Sequence, residues 1–189
     1  LNSSNISEGK FNLPITIISG FVVGFVSSSL SHLIPKSPGG KKNDNHVAIA
    51  LIFFGLGNVL GGHLSGKFAD KFTIKKAGYI GCIFVIVGAI TETICLSIDH
   101  DFILSCLVGF LDGLSYSYLF SLSGIICTVH YLGNSFSFAT TRLSSSLCFI
   151  IYQWFVALLN NKSNMKSNMT YQGLALIPFA LITSYCLKI

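Results

Sequence analysis

Charge is what this sequence has least of: only 10% of its 189 residues are Asp, Glu, Lys or Arg. A soluble domain carries about a quarter charged residues, so a water-soluble globule is excluded. Long polar blocks are missing too, which excludes a disordered chain. The net charge of +5 invites a nucleic-acid reading, but there is a single arginine and no basic face interleaved with aromatics. The six cysteines (Cys82, Cys95, Cys106, Cys127, Cys148 and Cys186) contain no C-x-x-C pair, so neither zinc nor thiol redox chemistry is supported. All six fall inside apolar runs and read as small packing residues. The five histidines, His32, His46, His63, His100 and His130, form no ligand cluster along the chain. A phosphate-binding G-x-x-x-x-G-K-[ST], a nucleophile–base pair and paired catalytic carboxylates are all lacking. The chain therefore reads as no enzyme, and no cofactor or metal is implied.

What is present is apolar: 51% of residues, with mean hydropathy +0.69. A spanning helix needs ~20 mostly apolar residues, and six runs qualify: 14–34, 47–65, 77–97, 102–130, 136–159 and 171–187. Backbone groups cannot stay unpaired in lipid, so such runs are helices unless they close a barrel. Barrel strands alternate over about 10 residues, and these runs do not. The expectation is an all-α, polytopic six-helix bundle over 14–189, preceded by a polar loop, 1–13, that continues from something upstream rather than serving as a signal peptide.

With six spans both termini share a side, and that side carries Lys10, Lys67, Lys71, Lys75, Lys76, Arg142 and Lys188. The other carries Lys36, Lys41, Lys42, Lys162 and Lys166, diluted by Asp44, Asp99 and Asp101. The bias predicts an integral, multi-pass membrane protein with cytoplasmic termini. In that topology the sequons at Asn161 and Asn168 face the far side and are possible glycosylation sites, whereas those at Asn2 and Asn5 do not. Glycine pairs at Gly20/Gly24, Gly57/Gly61, Gly62/Gly66 and Gly109/Gly113 have the spacing that lets membrane helices approach closely.

Asp112 sits well inside the run 102–130, where an ionised carboxylate costs ~2.5–3.5 kcal/mol on insertion scales. It reads as a proton or cation site, as the acid partner of Arg142, or as a structural residue bonded to Ser115, Tyr116 or a neighbouring helix. Glu92, near the end of its run, reads as snorkelling or paired. Arg142 begins the fifth run and could meet Asp70 or Asp112.

Two segments resemble a known family. Gly66-Lys67-Phe68-Ala69-Asp70-Lys71-Phe72-Thr73-Ile74-Lys75-Lys76 is similar to the signature loop of the major facilitator superfamily, G-x-L-A-D-[RK]-x-G-R-[RK]. Gly66, Ala69, Asp70, Lys71, Lys75 and Lys76 match in kind, and Thr73 stands where that pattern has glycine. The segment from Gly109-Phe110-Leu111-Asp112-Gly113 through Gly124, followed by Phe138-Ala139-Thr140-Thr141-Arg142-Leu143, resembles the uncoordinated-93-like branch. Ser117-Tyr118 replaces that branch's Thr-Gln step, and Leu143-Ser144 its tryptophan neighbourhood. In order, these cover about residues 14–187 and look like the second six-helix half of such a fold.

The resemblance implies an accessory or regulatory subunit of a channel, receptor or larger membrane complex, because that branch is associated with channel modulation and receptor escort. It also implies a latch at Gly66, Asp70, Lys71, Lys75 and Lys76, with Gly66 letting the helix end approach a neighbour. The alternative function is a secondary transporter of a small solute or ion by alternating access, coupled to protons through Asp112. Expected partners are the lipid bilayer and either another membrane protein or a first six-helix half. Nucleic acid is not one.

Overall fold

The computed structural model describes residues 44–97, 102–130, 146–154 and 165–186, together with positions 17, 139, 143 and 158. Four helices stand out: α1 Asp44–Lys71, α2 Ile74–Ser97, α3 Phe102–His130 and α4 Met165–Cys186. Residues 146–154 are also helical, and no strand occurs among the described residues. Three stretches are long and apolar enough to cross a membrane: Ala48–Lys71, Ile74–Cys95 and Phe102–Ile126. The described residues are thus α-helical, and three of their helices have the length and apolar composition to cross a bilayer. The first run, 14–34, lies outside the described residues except for one helical position, and the fifth, 136–159, is described only in part.

The connection between α1 and α2 departs from expectation. The signature segment reads as a loop, yet Gly66 to Lys71 complete α1, and only Phe72 and Thr73 separate the helices. The Phe72 N–H donates to the Phe68 carbonyl at 2.8 Å, closing α1, and the Ala77 N–H donates to the Thr73 carbonyl at 3.0 Å, opening α2. Thr73 Oγ1 accepts from the Lys76 N–H at 3.4 Å, the pattern of an N-cap. Thr73 thus caps the start of α2. Thr73→Ala should cost about 1 kcal/mol at this exposed cap, read as a lowered midpoint of thermal unfolding in detergent.

Central in the bundle is α3. It runs parallel to α1 and antiparallel to α2, touching both, while α1 and α2 scarcely meet along their lengths and α4 packs on the other side of α2. Lipid offers no hydrophobic force between helices, so close backbone approach must replace it. A Cβ on Gly57 would fall on the Phe110 carbonyl oxygen and one on Gly61 on that of Leu114. From the other side, a Cβ on Gly113 would fall on the Phe54 carbonyl oxygen, and one on Gly109 would sit 2.9 Å from the Ala50 oxygen. The pairs 57/61 and 109/113 therefore face each other across one seam. Gly62 meets only the Ser117 and Ser121 hydroxyls, and Gly66 has nothing within 4 Å among the described residues. The close approach expected at Gly66 occurs instead at Gly57 and Gly61.

Burial on α2 is inside-out relative to a soluble helix. Ile83, Val87, Ile90 and Ile94 form an exposed apolar stripe at helical spacing, while Gly81, Val85, Gly88, Glu92 and Cys95 face inward. Three threonine hydroxyls donate back to their own helices: Thr91 to the Val87 carbonyl, Thr93 to Ala89 and Thr128 to Gly124. Cys82, Cys95 and Cys106 are buried and unbridged, as packing residues should be.

Candidate functional site

The polar interior follows from the antiparallel register of α2 and α3. Cys95 Sγ lies 3.8 Å from Ser105 Oγ at one end of the contact. Further along, a Cβ on Gly88 would lie 3.4 Å from Asp112 Oδ1, and beyond that Gly81 packs against Leu119 and Tyr118. Gly88 thus faces the Asp112 carboxyl at van der Waals distance. Glu92 lies between Gly88 and Cys95 on the same face of α2 and is 0% exposed; Asp112 is 3% exposed. Both carboxyl groups are therefore buried, Asp112 facing Gly88 and Glu92 one turn further along α2.

Asp112 is not satisfied by the partners expected for a structural aspartate. Ser115 Oγ donates to the Asp112 backbone carbonyl at 3.1 Å, not to its carboxylate. Asp112 Oδ2 is buried with no hydrogen-bond partner among the described residues. Glu92 does not snorkel: its side chain is wholly enclosed, within electrostatic reach of the buried Tyr152 on the helical stretch 146–154. Arg142, the expected counter-charge, lies outside the described residues.

A second unpartnered acceptor appears on α1. Asn58 Oδ1 is buried with no hydrogen-bond partner among the described residues, and the Asn58 backbone nitrogen lies 3.1 Å from where a Cβ on Gly113 would sit. Its seam position beside the residue that follows Asp112 is invisible in local sequence, since it depends on which helices meet. Cys82 shares a hydrogen bond with Ser184, tying α4 to α2.

Toward the Thr73 end the interior closes. Tyr118 is wholly buried and donates its hydroxyl to the Ala77 carbonyl at 2.9 Å. Its ring stands edge-on to Phe84, centroids 5.3 Å apart, and tilted to Phe68 at 6.3 Å. One side chain thus joins α1, α2 and α3. Leu119, Leu122 and Ile126 are also fully buried on the same half of α3. Buried polar side chains thus occur along α3 at Ser105, Asp112, Ser115 and Ser123, interspersed with the apolar Val108, Leu114, Leu119, Leu122 and Ile126.

The other singled-out positions scatter. Asp70, Lys67, Lys71 and Lys76 are exposed around the α1–α2 turn, with Lys75 half-buried, so Asp70 and Asp112 are not brought together. Asn168, expected in a connector, falls in the first turn of α4; Asn161 lies outside the described residues. A helical turn is a poor acceptor for glycosylation, which favours exposed loops. Among the described residues no group of three or more His, Cys, Asp or Glu side chains could hold a metal ion. No family model, curated protein or solved structure matches the chain.

Proposed function

We propose that this chain belongs to a multi-pass membrane protein that moves a small solute or ion by alternating access, with Asp112 as the carboxyl that takes up and releases the coupling proton or cation. The observation that carries this is Asp112 Oδ2, buried without a hydrogen-bond partner among the described residues. An ionised carboxylate in hydrocarbon is costly, and a bound proton or cation removes that cost. A side chain kept only for packing would not need the charge. Glu92, on the helix facing Asp112, is a second buried carboxyl on α2. The proposal takes the six-helix bundle, one half of a major-facilitator-like fold, as its frame, with cytoplasmic termini.

A second reading is an accessory subunit of a channel, receptor or larger membrane complex. It is favoured by α1, which leaves Leu51, Ile52, Leu56 and Val59 on an exposed apolar face. A neighbouring membrane protein or a first six-helix half would cover that face as well as lipid does.

Reconstitution separates the two. Vesicles with a trapped pH-sensitive dye should report a proton flux when gradients of ions and small solutes are imposed, and protein-free vesicles should not. Silence across the panel, together with a channel or receptor retained in fixed ratio on mild-detergent purification, would overturn the transport reading in favour of the accessory one.

A further inference from the structure

The α1–α2 turn carries chemistry that a buried ion site does not use. Lys67, Lys71, Lys75 and Lys76 surround it, with Asp70 as the one acid. Because Phe72 and Thr73 alone connect the helices, these ammonium groups ride on helical backbone and cannot drift away on a loop. At 1.5 Å per residue, Lys67 is ~6 Å from Lys71 along the axis, and Lys76 is closer still to the turn. The polar layer flanking each side of the hydrocarbon core is about 5–7 Å deep. The four lysines therefore fill the depth of one headgroup layer. Phe72 is 37% exposed at the tip, with Lys71 Nζ lying 5.7 Å from its ring centroid. An exposed ring beside cations suits the interface between acyl chains and headgroups.

We propose that this turn is a binding surface for anionic phospholipid headgroups of the leaflet it faces, with Lys67, Lys71, Lys75 and Lys76 pairing with the lipid phosphates. Charge complementarity selects the occupant: four cations against one acid at headgroup depth repel a basic partner and attract an anionic surface. Asp70 opposes the surface and sets its strength. The inference rests on membrane insertion and not on transport, so a failed flux assay leaves it standing.

The test uses the whole chain in vesicles of phosphatidylcholine and phosphatidylglycerol in equal parts. Trace spin-labelled phosphatidylglycerol or phosphatidylcholine reports which lipid the protein immobilises. The wild type should hold phosphatidylglycerol in preference, and the preference should fall roughly fivefold for each lysine changed to glutamine. It should rise for Asp70→Asn and survive when all four lysines become arginine, which also shows that the fold tolerates changes there. High salt on the wild-type protein should erase the preference without any mutation. Equal preference in the four-glutamine variant, or a preference indifferent to salt, overturns the proposal. Displacement of the labelled lipid by inorganic phosphate at low concentration would likewise overturn it, assigning the lysines to a soluble anion.

Discussion

Alanine at Gly57 or Gly113 should cost more stability than any other single methyl group added to this protein, and the same change at Gly55 or Gly66 should cost nothing. At Gly57 and Gly113 the new Cβ would fall on a backbone carbonyl oxygen of the facing helix, Phe110 and Phe54 respectively. A flexible side chain could swing aside, but a helical carbonyl cannot, so the helices must separate. Overpacking of this kind costs about 1–3 kcal/mol, and here it also removes the close packing that substitutes for hydrophobic force in lipid. At Gly55 and Gly66 nothing lies within 4 Å, so alanine only gains helix propensity, ~0.5–1 kcal/mol in its favour. Thermal unfolding in one detergent should therefore rank Gly66→Ala and Gly55→Ala at or above wild type. Gly57→Ala and Gly113→Ala should fall well below it, and the double variant lower again. If all four behaved alike, the α1–α3 seam described here would be wrong.

That contrast also marks how much the sequence discloses. The 57/61 and 109/113 spacing is legible from the sequence, but so is 62/66, and only the structure separates a glycine against a backbone from one facing open space. Helix limits follow the same logic. The run 102–130 coincides with α3, and 77–97 falls short of α2 only at its start, because apolar content and helix end together there. The run 47–65 stops short of α1 because apolar content falls off at the lysines, whereas the helix continues to Lys71. Asp112 stands out in sequence because a charge inside an apolar run needs no partner to be noticed. The inward direction of Glu92 was available in principle: it lies opposite the Ile83, Val87, Ile90, Ile94 stripe at helical spacing. Asn58, Gly88 and Tyr118 were not legible as neighbours of the site, since long-range pairing of helices leaves no local signature.

Asp112→Asn should abolish proton flux while leaving the protein folded, and at least as stable as before. Asparagine has nearly the same shape, so the space opposite Gly88 stays filled. It carries no charge, so the ~2.5–3.5 kcal/mol cost of placing a carboxylate in the membrane is relieved. What it cannot do is take up and give back a proton. A catalogue of structural roles predicts otherwise: a carboxylate retained to pair with a cation would leave that cation uncompensated when neutralised, and removing one partner of a buried pair costs about 3–5 kcal/mol. The split between the two measurements is thus the diagnostic. Stability kept and flux reduced to that of protein-free vesicles makes Asp112 the ion-carrying group; stability lost makes it half of a structural pair. Lengthening the side chain sharpens the result. Asp112→Glu keeps the carboxyl but displaces it by one methylene, so flux should return only in part. Gly88→Val should impair flux from the opposite helix by crowding the same oxygen. If Asp112→Asn proteoliposomes acidify as fast as wild type, the carboxyl is not in the path of the ion, and Glu92 on α2 becomes the group to replace next.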